Sequence, residues 1–221
     1  MPIEIIKNND LEVHYKKIAE IIMESLSQLI EKDEIILGLC GGRSVAGVLK
    51  YLNGFDDFNW KKVHIFLIDE RCVETTDPES NYKLIKENFD KANLHPFIID
   101  RNKNDFGIDS YQLEFEKFGN KFDLILLSMG EDGHVGALYP NLSILNEDQK
   151  YFYLNNSPKP PSDRVTSSKR QMLTAKTSVL MIFGDSKREA LSNFMSDSIG
   201  EGECPAKIVK KIRNSFVFTN L

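Results

Sequence analysis

Phe122-Asp-Leu-Ile-Leu-Leu-Ser128 runs straight into Met129-Gly-Glu-Asp-Gly-His134. The apolar run is too short for a helix and shows no alternation, so it reads as a strand buried on both faces. Glu34–Cys40, Val63–Ile68 and Val179–Phe183 repeat that pattern. Between such runs lie helical spacings, clearest at Leu11, Tyr15, Ile18, Ile22, Leu26 and Leu29, with Asn9 or Asp10 placed to cap them. Buried strands alternating with helices predict an α/β fold, a doubly wound, mostly parallel sheet with helices on both faces. Weaker strands are expected at Ile3–Ile6, Phe97–Ile99, Tyr151–Leu154, Arg164–Ser167 and Phe216–Phe218. Further helices are expected over Val45–Leu52, from Asp77-Pro78 to about Phe89, over Ser110–Phe118, from Lys187 onward and over Pro205–Ile212, with a small irregular subdomain near 140–170.

No repeat, low-complexity block or linker divides the 221 residues, which read as one domain, 1–221. Size scaling leaves roughly 10,000 Å² exposed of ~37,000 Å² for the unfolded chain, so no disulfide or metal staple is needed. The 28 Lys and Arg against 33 Asp and Glu give a net charge of −5, which argues against nucleic acid or an anionic membrane as partner. Cys40, Cys72 and Cys204 show no CxxC spacing, and His14, His64, His95 and His134 form no ligand pattern, so no metal is expected. The N-terminus has no signal-like apolar core and no stretch reaches ~20 apolar residues, which predicts a soluble, cytoplasmic chain.

In a doubly wound sheet, ligands bind outside the carboxyl ends of the strands, and four polar clusters follow strands here. Gly41-Gly42-Arg43-Ser44 lies between a strand and a helix. It is either a backbone cradle for an anion or a tight turn capped by Ser44. It matches neither GxGxxG nor a Walker loop, so nucleotide binding is unsupported. In Asp69-Glu70-Arg71, Arg71 suits a bidentate phosphate contact and Asp69 a sugar hydroxyl or cation; the alternative is a solvated loop. In Gly130-Glu131-Asp132-Gly133-His134, the histidine suits a general base and Glu131 or Asp132 can fix its tautomer; the alternative is a glycine-bent loop with His134 as a helix cap. In the fourth cluster, Lys187 follows Ser186 at a helix start, where a cation opposes the dipole unless an anion binds there. The stiff Ser157-Pro-Lys-Pro-Pro161 loop reads as a wall that positions Arg164.

Together LCGGRS, IDERCV with DPESNY, LLSMGEDGHVGALYP, SPKPPSDRVT and GDSKREAL resemble the 6-phosphogluconolactonases, within the group that includes glucosamine-6-phosphate deaminases. The resemblance covers most of the chain and implies a sugar-phosphate-binding α/β domain. It also implies metal-free, cofactor-free hydrolysis of 6-phosphogluconolactone in the oxidative pentose phosphate pathway, a carboxylic ester hydrolysis. His134 then activates water, with Glu131 and Asp132 as its carboxylates. Gly41, Gly42, Arg43, Ser44, Asp69, Arg71, Gly133, Arg164 and Lys187 then meet the substrate, a phosphorylated sugar lactone, in a monomer or weak homodimer. The family usually shows Gly-Gly-Ser-Thr where this chain has Arg43 and Ser44. The deaminases typically carry Asp-Glu-Tyr and Phe-Asn-Glu-Pro where this chain has Asp69-Glu70-Arg71 and Ala137-Leu138-Tyr139-Pro140. A deaminase activity, and a non-catalytic sugar-phosphate sensor, are the two alternatives to lactone hydrolysis.

Overall fold

The computed structural model describes residues 3–142 and 149–221. In chain order its strands and helices are β1 (Glu4–Lys7), α1 (Leu11–Ser27), β2 (Ile35–Leu39), α2 (Arg43–Leu52), β3 (Val63–Leu67), β4 (Asp69–Arg71), α3 (Asn81–Asn88), β5 (Asn93–Leu94) and α4 (Ile108–Glu116). They continue with β6 (Leu124–Ser128), β7 (Tyr151–Leu154), β8 (Arg164–Ser167), α5 (Lys169–Met172), β9 (Thr177–Ile182), α6 (Arg188–Met195) and β10 (Asn214–Thr219). Seven strands form one sheet in the order β1-β10-β9-β6-β2-β3-β5, every pair parallel. Every residue of β2, β3 and β9 is buried, as strands covered on both faces require.

The chain steps outward from β2 through β3 to β5, then returns to the other side of β2 and steps outward through β6, β9 and β10. Right-handed crossovers therefore place α1 and α2 on one face and α6 on the other. The reversal falls between β2 and β6, so a crevice opens at their carboxyl ends.

Several expectations are corrected. Phe97–Ile99 is not a strand; the sheet edge is β5, paired to β3 through Asn93 and Leu94. Pro96 has no N–H to continue the ladder, and Phe97 turns inward as a core ring against Tyr111 at 5.5 Å. Asp69–Arg71 is not a loop: as β4 it joins a second, antiparallel sheet in the order β4-β8-β7. This ordered sheet takes up much of the subdomain expected near 140–170, of which residues 143–148 lie outside the described residues. Pro205–Lys211 is a 3₁₀ helix, and α3 begins at Asn81, with the Ser80 hydroxyl accepting from the Lys83 N–H. Among the described residues no helix is long and apolar enough to cross a membrane.

Beneath the edge strands, His64 Nδ1 lies 2.8 Å from His95 Nε2, with Glu34 on the outer nitrogen of His64 and Glu114 on that of His95. Burial, with His64 as the next contributor, pulls His95 down to about 4; Glu114 opposes the shift without cancelling it. An unfolded histidine titrates near 6.5, so between these values the unfolded chain binds the extra proton and stability falls as pH drops. The full gap corresponds to about 3 kcal/mol. Urea midpoints measured from pH 7 to 4 are expected to fall, and His95→Gln is expected to flatten the decline. A parallel decline in that variant would contradict the assignment.

Candidate active site

At the reversal point the Ser128 N–H donates to Cys40 Sγ at 3.1 Å, tying the ends of β6 and β2 together. Beside this contact lies a cleft of about 210 Å³. Its walls are Cys40 and Gly41 after β2, Asp69 and Arg71 of β4, Asn81 of α3, the Ser128–Glu131 turn with His134 and Gly136, Lys159 of the proline loop, and Lys187 ahead of α6. Burial, reinforced by Asp69, pushes the Cys40 thiol up to about 12.

His134 is seated by its own loop. Asp132 Oδ1 lies 2.5 Å from His134 Nδ1 and also accepts the His134 backbone N–H at 3.1 Å. Partial burial raises the Asp132 pKa, but these hydrogen bonds from His134 outweigh it and hold the carboxyl below its ordinary value. A carboxylate acceptor at Nδ1 fixes the tautomer and leaves Nε2 as the basic nitrogen. Gly130 makes the seat possible: a Cβ there would stand 2.0 Å from the imidazole Cε1. Tyr139 packs against the ring, with centroids 4.7 Å apart.

The second feature is a pair of guanidiniums. Arg71 and Arg164 face each other directly across the β4–β8 ladder, so their side chains share a face. Burial, then the neighbouring Arg71, lowers the Arg164 pKa. Arg164 Nη2 donates to the Lys159 and Pro160 carbonyls, and Arg71 Nη1 to the Glu79 carbonyl. The Nε of each is buried with no hydrogen-bond partner among the described residues. Like charges opposed on a sheet are destabilising, and orphaned guanidinium donors add to that cost; Glu79, 3.6 Å from Arg71 Nη1, offsets part of the repulsion, and an anion held against the pair would offset more. Glu70 anchors this side, its buried carboxylate accepting the backbone N–H groups of Arg71, Asn81 and Tyr82 and the Ser80 hydroxyl. Burial raises its pKa, with those four donors pulling the other way.

Lys187 lies across the cleft, its Nζ 3.4 Å from Ser128 Oγ, and burial lowers its pKa. Glu131 bridges two loops, accepting from the Ser186 hydroxyl at 3.2 Å and standing 3.6 Å from Lys159 Nζ. Ser186 therefore does not cap α6; the N-cap position is Lys187 itself.

Of the residues singled out in the sequence, Gly41, Asp69, Arg71, Glu131, His134 and Lys187 line the cleft. Asp132 sits behind His134, and Arg164 beside Arg71. Four others are placed elsewhere. Arg43 is exposed at the start of α2 and lines a separate hollow with Glu12, Tyr15 and Lys50, and Ser44 lies within the first turn of α2 rather than capping it. Gly42 is that helix's N-cap, outside the cleft lining. Gly133 packs on Cys204, and its N–H is spent on the Gly130 carbonyl at 3.1 Å, which removes it as an oxyanion donor.

Asn81, Ser128, Lys159 and Cys40 are cleft residues that sequence reasoning passed over. Asn81 stands in DPESNY and Lys159 in SPKPP, but neither motif shows which member faces inward. Gly41 carries the signal for Asn81: a Cβ at Gly41 would stand 1.8 Å from Asn81 Oδ1. A larger cavity of about 360 Å³ lies beyond Tyr139, where Lys169 and Glu201 pair with each other at 2.5 Å instead of converging on a ligand.

Comparison with known proteins identifies the family and the fold. The family model described as glucosamine-6-phosphate isomerases/6-phosphogluconolactonase matches residues 9–218. A 6-phosphogluconolactonase of Borreliella burgdorferi is 36% identical over 204 residues, covering 87% of this chain and 86% of the relative. The crystal structure of 6-phosphogluconolactonase from Thermotoga maritima superposes with a TM-score of 0.84 at 28% identity, covering 99% of each chain. A monomeric glucosamine-6-phosphate deaminase shares the fold at 21% identity, with a TM-score of 0.79 and coverage of 98% of this chain and 97% of its own. With its family model spanning nearly the whole sequence and a lactonase relative above 30% identity, the chain belongs to the glucosamine-6-phosphate isomerase/6-phosphogluconolactonase family.

Proposed function

We propose that the protein hydrolyses 6-phosphoglucono-1,5-lactone to 6-phosphogluconate, with His134 as general base. The observation that carries the reading is one cleft that holds both an imidazole with Nδ1 committed to Asp132 and the Arg71 guanidinium, with buried Arg164 opposite Arg71 across the β4–β8 ladder. Arg71 and Arg164 hold the phosphate, and Lys187 and Asp69 meet the sugar end. This fixes C1 against His134 Nε2. His134 takes a proton from water as the water oxygen bonds to C1, giving a tetrahedral oxyanion. Collapse of that species breaks the bond from C1 to the ring oxygen, which recovers the proton from the imidazolium, leaving an open-chain acid. The Gly41 N–H at the cleft wall is the backbone donor assigned to the oxyanion, Gly42 lying outside the lining and Gly133 being committed within its own turn. Glu131 orients Ser186 and Lys159 at the rim.

The same reading takes the chain as one sugar-phosphate-binding domain, monomeric or weakly dimeric, needing no metal or cofactor. It places the protein in the reducing cytoplasm, in keeping with its three buried free thiols.

Hydrolysis of freshly made lactone, coupled to a 6-phosphogluconate dehydrogenase and corrected for spontaneous opening, tests the activity. Ammonia release from glucosamine 6-phosphate with no lactone hydrolysis would replace it with deamination. Arg71→Ala is expected to raise KM by one to two orders of magnitude with little change in kcat, since a charged hydrogen-bonded contact contributes ~1.5–3 kcal/mol. An effect confined to kcat would contradict the clamp.

A further inference from the structure

Tyr139 connects the base to the arginine side of the site, by a route separate from the Glu131–Lys159 contact at the rim. Its ring packs on the His134 imidazole, and its hydroxyl lies 2.7 Å from Ser157 Oγ. The direction of that bond follows from counting protons. Ser157 Oγ has one hydrogen; given to the Lys159 carbonyl at 3.1 Å, which can only accept, it leaves Oγ to accept from Tyr139. The same Lys159 carbonyl accepts from Arg164 Nη2 at 3.2 Å. A continuous chain of contacts thus runs from the Arg164 guanidinium through the Lys159 carbonyl, the Ser157 hydroxyl and the Tyr139 hydroxyl to the face of the base. Ser157 is buried, and its own N–H is tied to the Ser162 carbonyl at 3.1 Å. The loop therefore has little freedom to move at one end alone.

We infer that Tyr139 is a positioning residue through which occupancy of the arginine pair sets the placement of His134, so that the phosphate of the substrate contributes to turnover and not only to binding. The inference rests on the proposed lactonase reading and deepens it by assigning specificity for phosphorylated over unphosphorylated lactones to this contact. Physically, an anion drawing Arg164 toward it shifts the shared Lys159 carbonyl and, through Ser157, the Tyr139 ring against the imidazole. Remote binding energy is then used where the chemistry occurs. A phenylalanine at this position would keep the ring contact and break the chain at one atom.

The experiment compares wild type, Tyr139→Phe, Ser157→Ala and the double variant on 6-phosphoglucono-1,5-lactone and glucono-1,5-lactone. For Tyr139→Phe the expected result is a fall in kcat on the phosphorylated lactone of about 5- to 10-fold, the worth of one hydrogen bond, with KM changed less than about twofold. The ratio of kcat/KM between the two lactones is expected to shrink by a similar factor. Ser157→Ala is expected to reproduce both changes, and the double variant to be no worse than either single one. Equal losses on both lactones, or additive losses in the double variant, would show that Tyr139 merely packs and would overturn the inference. If glucono-1,5-lactone turns over too slowly to read, additivity decides alone. Absence of lactone hydrolysis in the wild type would instead remove the proposed function, a separate and distinguishable failure.

Discussion

His134→Ala is expected to lower kcat for lactone hydrolysis by ~10²–10⁴-fold, the usual contribution of a positioned general base. Affinity for 6-phosphogluconate is expected to stay within a few-fold, because the groups assigned to the phosphate come from β4 and β8 and not from the His134 loop. The residual rate in the variant is attributed to orientation and backbone donors, which do not need the imidazole. Asp132→Asn adds a finer result. Asparagine keeps the size but presents either an amide N–H or a neutral carbonyl to Nδ1, so the base loses the carboxylate that fixes its tautomer. Its kcat is expected to fall between that of the wild type and that of His134→Ala. Coupled assays of turnover, with isothermal titration of the product, separate the two quantities. Turnover near wild type in His134→Ala would remove the base from the mechanism.

Gly130→Ala is expected to come close to His134→Ala in effect, although it removes no functional group. The backbone of Gly130 is not in the left-handed region, so alanine is allowed there on conformational grounds alone. What forbids it is the neighbour: the new methyl would stand 2.0 Å from Cε1 and 2.1 Å from Nδ1 of His134. The ring must leave its seat, and with it goes the short contact to Asp132. A drop in kcat of two orders of magnitude or more is expected, since misplacement of about 1 Å is enough for that. The decisive measurement is the double variant Gly130→Ala/His134→Ala, expected to be no slower than His134→Ala alone. Strict additivity would mean that the methyl acts elsewhere. A melting temperature within a few degrees of wild type is expected for His134→Ala, which leaves its loop hydrogen bonds to Gly130 intact.

Much of this site was legible in the sequence because the parallel sheet writes its plan locally. Buried strands are uninterrupted apolar runs, and the residue after each one sits at the ligand-binding edge, so Gly41, Asp69, Glu131 and His134 could be placed before any coordinates. What escaped depended on long-range register. That Arg71 and Arg164 face each other is a property of the β4–β8 ladder, joining residues 93 positions apart, and a three-residue strand carries no periodicity to announce it. Arg43 misled for the opposite reason. It stands in the loop motif but already belongs to the first turn of α2, whose phase turns its side chain toward α1. Phe97–Ile99 looked like a strand by hydrophobicity alone, and Pro96 ended the ladder before it. Lys159 was hidden among prolines, since in a loop without regular phase nothing in the sequence says which side chain points inward.

The sulfur that ties the ends of β2 and β6 has a chemical consequence for handling this protein. With its thiol buried and its pKa pushed up to about 12, Cys40 stays protonated at neutral pH, and the thiolate is the form that alkylating and oxidising reagents attack. A cysteine in the wall of the cleft thus behaves as an inert spacer. Iodoacetamide or mild peroxide is expected to leave lactone turnover unchanged, and a covalent inhibitor aimed at this cleft would have to be directed at nitrogen or oxygen instead of sulfur.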